Sequence, residues 1–350
     1  MGYEHQLEFK QKEVADNLSR IGGIDLPEVN PIMGCENEFR YRNKMDFAFT
    51  NRRWITEQES AEGKEISNRN GAGFRVSGFW DKVINLNECH LQAEPSNAIR
   101  KAARDYAIEN ELNFFDIANK EGFLRALTIR MSSTGEIMVL FQFFYEDESK
   151  RLGLLNYIKE KFPEITSLLY TINNKGNETI FDLDIITFSG ADCIFEEMEG
   201  LKFKIGPKSF YQTNSKQAYE LYKVTRELAQ IEKNDIVYDL YTGTGTIAQF
   251  VGKNALKVIG VESVPEAIKA AKENAKNNGI DNCKFYVGDM KEIFTENFIR
   301  KNGQPDVIIT DPPRDGMHKK VVGQLLDVNP KRIVYVSCNP ATQARDLALM

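Results

Sequence analysis

The sequence predicts an α/β chain: a doubly wound parallel sheet in its C-terminal part, behind an N-terminal and central α+β region with antiparallel strands. Two observations carry this. From about Leu201 onward, short apolar runs alternate with helical spacings, and each run ends in a turn rich in Gly, Asp or Pro. Before that point, apolar and polar residues alternate with period two, and a clear hairpin signature stands in the middle.

Taken in order, the residues to about Ile21 have the spacing of one amphipathic helix, stopped by Gly22-Gly23 and followed by Pro27 and Pro31. Tyr41 to Thr50 alternates as a strand. Gly71 to Trp80 predicts a strand with bends, and Asp81 to Leu91 a further strand-like stretch. Ala93 to Asn110 returns to helical spacing. Phe123 to Met131 and Glu136 to Phe144 flank Ser132-Ser133-Thr134-Gly135, which reads as a hairpin. A helix over Leu152 to Phe162 and short strands through Phe188 follow.

In the C-terminal part, strands are expected at Ile236 to Leu240, Val258 to Val261, Cys283 to Val287, Asp306 to Thr310 and Arg332 to Val336. Helices are expected from Thr246 and from Pro265 to Asn278, with Gly279 as a stop. This places a domain boundary between residues 203 and 204: residues 1–203 as an N-terminal helix with a central β-rich domain, and 204–350 as the parallel-sheet domain. Ligands of such sheets bind at the carboxyl ends of the strands.

Composition narrows the class of protein. With 350 residues, 42% hydrophobic and 27% charged, the chain has the balance of a globular protein of two or three domains. Its apolar stretches fall short of the roughly 18 residues needed to span a bilayer, so a cytoplasmic, membrane-free protein is expected, and a monomer. The five cysteines, Cys35, Cys89, Cys193, Cys283 and Cys338, are odd in number and widely spaced, which supports neither a disulfide framework nor a paired metal site. A net charge of −6 argues against indiscriminate nucleic-acid binding over the whole surface. Locally the balance differs. Arg40, Arg42 and Lys44 surround Tyr41, Arg52-Arg53 precede Trp54, and Lys64, Arg69 and Arg75 follow. Basic residues interleaved with aromatics suit phosphates and unpaired bases, and suit solvated strand faces equally well.

The chemistry-bearing motifs cluster in the parallel-sheet part. Gly243-x-Gly245-x-x-Ala248 opens the helix at Thr246, and Glu262 follows Gly243 by about the 20 positions at which a carboxylate accepts from a ribose diol. That much fits a dinucleotide and S-adenosylmethionine (SAM) alike. Asp239 before the turn, Gly288-Asp289 after the third strand and Asp311-Pro312-Pro313 after the fourth decide for SAM. Acidic groups there attract a methionine ammonium and repel a pyrophosphate. After the fifth strand, Ser337-Cys338-Asn339-Pro340 delivers a cysteine to the mouth of the sheet, where a thiolate could add to an electron-poor ring carbon.

These residues resemble a family. Phe210-x-Gln212-x-Asn214, Asp239-Leu240-Tyr241-x-Gly243-x-Gly245, Asp311-Pro312-Pro313-Arg314-x-Gly316 and Ser337-Cys338-Asn339-Pro340-x-Thr342-x-x-Arg345-Asp346-Leu347 are similar, in that order, to motifs of the RNA 5-methyluridine methyltransferases of the TrmA/RumA type. The likeness is strongest from about Ile205, and Tyr41-Arg42-Asn43-Lys44 and Leu124-Arg125-x-Leu127-x-Ile129-Arg130 are similar to pieces of that family's central domain.

The resemblance implies a Rossmann-like SAM methyltransferase domain, an RNA substrate and a covalent mechanism through Cys338, with Asp311 and Arg314 bordering the uracil pocket. It implies SAM contacts from Gln212, Asp239, Tyr241, Gly243, Gly245, Thr246, Glu262, Asp289 and Asp311. Tyr241 could instead pack beneath the turn, and Asp289 could simply cap a helix.

The family's proton-abstracting Glu lies beyond its Cys motif, so that base and the last strands of the sheet are expected after Met350. Cys89, in Asn87-Glu88-Cys89-His90, resembles one ligand of the iron-sulfur cluster that some relatives carry. It stands alone, so neither a cluster nor a metal is expected. Cys89 also tilts the expected target toward 23S ribosomal RNA over transfer RNA. Two rival functions fit parts of the pattern: a SAM enzyme acting on a base amino group, in which an aromatic usually follows the Asp-Pro-Pro, and a non-catalytic RNA-binding factor that keeps the fold.

Overall fold

The computed structural model describes all residues except Lys64, Glu65 and Ser67. Lys64, one of the basic residues noted above, therefore lies outside the described residues. The chain divides into two compact units, one of residues 1–38, 197–203 and 216–350, the other of 39–196 and 204–215.

A single cut at 203/204 thus differs from the observed division. The N-terminal helix α1 (Tyr3–Arg20) groups with the C-terminal part because it packs along α11 (Pro340–Leu347). Its C-terminal exit is the left-handed Gly23, as the Gly pair predicts.

The unit of residues 39–196 and 204–215 is built on a mostly antiparallel sheet. Its elements are β1 (Lys44–Thr50), the short α2 (Glu57–Ala61), β2 (Gly71–Val76), β3 (Phe79–Asn85), α3 (Ser96–Glu109), β4 (Leu124–Met131), β5 (Ile137–Phe143), α4 (Glu148–Lys161), β6 (Ser167–Ile172) and β7 (Ile186–Gly190). Among the described residues the strand order is β3-β2-β1-β4-β5-β6-β7. The expected strand Gly71 to Trp80 is really two, because the chain reverses at Gly78 with a positive φ, and the stretch to Leu91 leaves the sheet at Asn85. Helix α4 starts earlier than its apolar spacing indicates, since the Asp147 carboxylate caps it by accepting from Lys150 N–H at 3.2 Å.

Period two sets which face of this sheet is covered. Phe47 and Phe49 of β1, Leu127 and Ile129 of β4, and Val139 and Phe141 of β5 share one apolar core with Ile99, Ala103, Leu154 and Ile158 of α3 and α4. Intervening residues on β1 and β4 include the small or polar Ala48, Ala126, Thr128 and Arg130, whereas β5 places Met138 and Leu140 on that face beside Gln142.

The chain then makes a hairpin of β8 (Ile194–Met198) and β9 (Leu201–Ile205), whose two-residue loop Glu199-Gly200 has φ +48 and +78. Two left-handed residues in succession make the turn whose twist matches the strands.

The remaining elements are α5 (Ser215–Ala229), β10 (Ile236–Leu240), α6 (Thr246–Gly252), β11 (Lys257–Glu262), α7 (Pro265–Asn277), β12 (Cys283–Val287), α8 (Met290–Ile293), α9 (Glu296–Asn302), β13 (Val307–Thr310), α10 (Lys319–Val328), β14 (Arg332–Tyr335) and α11. Strands β10 to β14 form a parallel sheet in the order β12-β11-β10-β13-β14. Tyr238, Leu240, Ile259 and Ile308 pack on α8, α9 and α10 through Phe294, Ile299 and Val321, whereas α6 and α7 pack against β10, β11 and β12. Order reverses beside β10, so its carboxyl end is the switch point of the sheet. Among the described residues no helix is long and apolar enough to cross a membrane.

Candidate active site

At the end of β10 the backbone turns sharply. Tyr241, Gly243 and Gly245 have φ of +64, +56 and +75, and the turn is closed by Thr242 N–H donating to the Val261 carbonyl at 3.0 Å and Gly245 N–H to the Thr242 carbonyl at 2.9 Å. The two glycines are needed for different reasons. A Cβ on Gly245 would stand 2.9 Å from the Phe285 ring and from Ala271, so helix α6 could not close on the sheet. A Cβ on Gly243 would meet nothing within 4 Å, which leaves open space in front of that residue. Thr246, the first residue of α6, is buried, with its hydroxyl 3.3 Å from that of Thr244.

Asp239 is fully buried beneath this turn. Its Oδ2 accepts from the Thr242 hydroxyl and from Ala248 N–H at 3.0 Å, while Oδ1 has no partner. Burial pushes its carboxyl up to about 7, helped by the nearby Asp311 charge, although both hydrogen bonds oppose the rise. A buried carboxylate with one orphaned oxygen and a glycine cradle beside it fits a cationic ligand such as the ammonium of SAM.

Glu262, at the end of β11, is held rather than free. Its Oε1 accepts from Ser263 N–H at 2.7 Å and Val264 N–H at 3.0 Å, and Oε2 accepts from Gly243 N–H at 3.2 Å. The carboxylate is thereby tied to the glycine turn. Asp289, after β12, caps α8 by accepting from Lys291 N–H at 2.9 Å, and that bond keeps its carboxyl low. Tyr241 packs partly against the core of α8 to α10, and burial pushes its hydroxyl up to about 12. Asp289 thus has the capping job that the sequence allowed. Gln212 lies in the other unit, where its carbonyl accepts from Asn43 Nδ2 at 2.8 Å.

The last two motifs are stapled to one another. Cys338 is exposed just past β14, between Ser337 and Asn339, whose side chains bracket the turn: Asn339 N–H donates to Ser337 Oγ at 3.1 Å, and Asn339 Oδ1 accepts from Ala341 N–H to cap α11. Asn339 Nδ2 and the Thr342 hydroxyl both donate to the Arg314 carbonyl at 3.1 Å, and Arg345 donates to the Asp315 carbonyl at 2.8 Å. Asp311 begins this loop, and burial pushes its carboxyl up to about 6.

Beneath them, the fully buried Asp346 accepts from Met317 N–H and the Tyr335 hydroxyl, each at 2.7 Å, and from Arg345. Asp346 is part of the sequence motif, but its task depends on partners up to 29 positions away and shows only in three dimensions. Tyr335 carries no sequence signal beyond its place in an apolar strand.

Neighbouring strands lie about 4.8 Å apart. With β13 between them, the ends of β10 and β14 stand about 10 Å apart, so the glycine turn, Asp311 and Cys338 share one edge of the sheet. Cys89 lies elsewhere. It is buried in the core under α3, with its N–H donating to Asn97 Oδ1 at 2.7 Å.

The basic, aromatic segment of the other unit is largely neutralised. Arg40 pairs with Glu88, Arg52 with Asp116 at 2.9 Å, Arg53 with Glu59 at 2.7 Å, Lys44 with Asp46 at 3.0 Å, and Arg75 with Glu178. Arg42 makes no ion pair among the described residues.

Strand order, the glycine turn and the carboxylates of Asp239 and Glu262 beside it define a SAM-dependent methyltransferase fold. The profile of a family described as tRNA (Uracil-5-)-methyltransferase matches residues 192–350. A protein of Bacteroides thetaiotaomicron called an uncharacterized RNA methyltransferase is 56% identical over 99% of this chain and 77% of its own length. One of the same description from Porphyromonas gingivalis is 52% identical over 99% of this chain and 76% of its length. The Pyrococcus abyssi tRNA (uracil-54, C5)-methyltransferase, solved with S-adenosyl-L-homocysteine, superposes with a TM-score of 0.78 at 30% identity, covering 100% of this chain and 77% of that one. The chain belongs to the family of SAM-dependent RNA uracil-C5 methyltransferases.

Proposed function

We propose that this protein methylates C5 of a uridine in RNA through a covalent adduct of Cys338 with the uracil ring, with 23S ribosomal RNA the first substrate to assay and transfer RNA the second. The observation that carries the reading is Cys338 exposed at the carboxyl edge that also bears the glycine turn and Asp311, fixed there by the Asn339 and Arg345 staples.

Uracil C5 is a weak nucleophile. Attack of the Cys338 sulfur on C6 forms an S–C6 bond and moves the ring electrons onto C5 and O4, which makes C5 a carbon nucleophile. SAM, when bound, would supply the electrophilic methyl group that C5 takes, its S–CH3 bond breaking with the electron pair kept by sulfur so that S-adenosylhomocysteine leaves. A base then removes the C5 proton, the S–C6 bond breaks with its electrons returning to sulfur, and 5-methyluridine is released.

Asp239, Gly243, Gly245, Thr246, Glu262, Tyr241 and Asp289 are the proposed SAM contacts, and Gln212 is proposed with them on the likeness of its motif alone. Asp311 serves as both a cofactor and a pocket residue, beside Arg314. The unit of residues 39–196 and 204–215 is proposed to bind RNA, and the protein to act as a cytoplasmic monomer. The preference for ribosomal RNA rests on Cys89, which the fold uses as an apolar core residue.

The test is transfer of labelled methyl from SAM to 23S ribosomal RNA and to transfer RNA transcripts, with product nucleosides resolved. The reading expects 5-methyluridine with the wild type and none with Cys338→Ala. Methylation on a base amino group, or at wild-type rate without the thiol, would overturn it.

A further inference from the structure

We infer that the Tyr222 hydroxyl is the donor for the carboxylate of the cofactor's methionine end, while Asp239 receives the ammonium; this rests on the SAM reading above and adds a residue that no motif singles out.

Helix α5 buries one face, on which Ala218, Tyr222, Thr225 and Ala229 recur at the three- and four-residue spacing of a single stripe. Tyr222 is the large side chain of that stripe, 4% exposed, with its ring centroid 6.1 Å from that of Phe250 in α6. Packing between α5 and α6 thus accounts for the ring. It does not account for the oxygen. Tyr238, Tyr286 and Tyr335 of the same unit donate to the Gly303 carbonyl at 2.8 Å, to Asn302 Oδ1 at 2.7 Å and to Asp346 Oδ2 at 2.7 Å, whereas the Tyr222 hydroxyl makes no hydrogen bond among the described residues. A buried hydroxyl without a partner is destabilising, and Phe would fill the same space without that penalty.

The surroundings point to a zwitterion. Burial first, then the charges of Asp311 and Asp239, push the Tyr222 hydroxyl above its ordinary value, so both carboxylates lie within electrostatic reach and the phenol keeps its proton to donate. Asp311 N–H donates to the Leu240 carbonyl at 3.3 Å, which sets Asp311 beside the end of β10, and Asp239 Oδ1 is buried without a partner. An orphaned acceptor and an unspent donor therefore belong to one end of the sheet. An amino-acid end carries a group for each: its ammonium suits the carboxylate oxygen, and its own carboxylate, which two acidic neighbours repel, needs a donor. Other donors there are already engaged. The Thr242 hydroxyl is spent on Asp239, Gly243 N–H on Glu262 and Gly245 N–H on the Thr242 carbonyl.

Calorimetry on the full chain tests this with two probes: S-adenosylhomocysteine, and the same molecule lacking its carboxylate but keeping its amino group. Tyr222→Phe retains the ring and removes only the oxygen. The expected result is binding of S-adenosylhomocysteine weakened about tenfold by loss of a hydrogen bond to a charged group, with affinity for the decarboxylated probe unchanged. A second readout needs no ligand. Thermal melts of the unliganded variant should lie at or above the wild type, because an unpaired buried polar atom has been removed. Unchanged affinity for S-adenosylhomocysteine would overturn the assignment, as would equal weakening of both probes. So would a lower melting temperature without ligand, since the hydroxyl would then already be bonded within the protein. If the wild type binds S-adenosylhomocysteine and methylates RNA while Tyr222→Phe changes neither, only the role of Tyr222 fails; a wild type that binds no S-adenosylhomocysteine removes the SAM site itself, and this role with it.

Discussion

Asn339 Nδ2 donates to the Arg314 carbonyl at 3.1 Å, so the residue after the proposed nucleophile holds the loop that borders the proposed uracil pocket. The same side chain caps α11 through its oxygen. One asparagine thus fixes the Cys338 turn, the helix behind it and the loop opposite. Asn339→Ala removes both bonds. We expect a stability loss of about 1 kcal/mol, typical of a lost cap, and a larger fall in kcat than in SAM affinity, read by steady-state kinetics beside a denaturant melt.

Asp346 anchors that arrangement from below. Replacing it by Ala strands the Tyr335 hydroxyl and Met317 N–H without their acceptor in the interior. Loss of stability by about 2–4 kcal/mol is expected from the buried network, and urea unfolding measures it. A change under about 0.5 kcal/mol would mean that the network is not formed in solution.

The two glycines of the turn should separate folding from cofactor binding. Gly245→Ala pushes a methyl into Phe285 and Ala271 at a left-handed φ, so the melting temperature should drop and soluble yield fall. Gly243→Ala meets no protein atom and costs only the left-handed φ, about 1–2 kcal/mol. Its SAM affinity, by calorimetry, should nevertheless fall at least as far as that of a Glu262→Gln variant. Equal loss of fold in both would refute the division of roles.

Asp239 predicts a pH signature. An unfolded Asp titrates near 3.9, whereas burial holds folded Asp239 near 7. Between these values the folded protein keeps a proton that the unfolded chain has released, so this group's contribution to stability is full below about 4 and declines as pH rises to about 7. Cation binding needs the ionised form and should strengthen over the upper part of the same range. Asp239→Asn should therefore flatten the difference in melting temperature between pH 5.5 and pH 8 and weaken SAM binding at pH 8 by tenfold or more. A SAM affinity that is unaffected by this change would remove Asp239 from the site.

How much of this was legible beforehand follows from which interactions are local. Each parallel strand lies within about one residue of its apolar run, because a strand buried on both faces is a continuous apolar stretch closed by a turn. Asp239, Glu262 and Cys338 were legible because they sit at strand ends. Glu199-Gly200 hid a hairpin, since the pair lacks the Asn-Gly signal that such a turn usually carries. Helices α5 and α10 fell inside the general alternation and were not singled out. Two features had no local signal at all. Helix α1 joins the unit at the far end of the chain through α11, and the Asp346 network joins Met317, Tyr335 of β14 and Arg345. Arg125, noted only within a motif, is buried and donates to the carbonyls of Asn173, Lys175 and Asn177, a structural role that only the fold reveals.

The central claim is that the Cys338 sulfur bonds to the target ring, and RNA carrying 5-fluorouridine tests it most directly. Fluorine at C5 cannot leave as a proton does, so the adduct should persist on a denaturing gel in the presence of SAM, and digestion should map it to the peptide containing Cys338. The account predicts a trapped conjugate with the wild type and none with Cys338→Ala. A conjugate that survives that substitution, or one mapped to another residue, would contradict it.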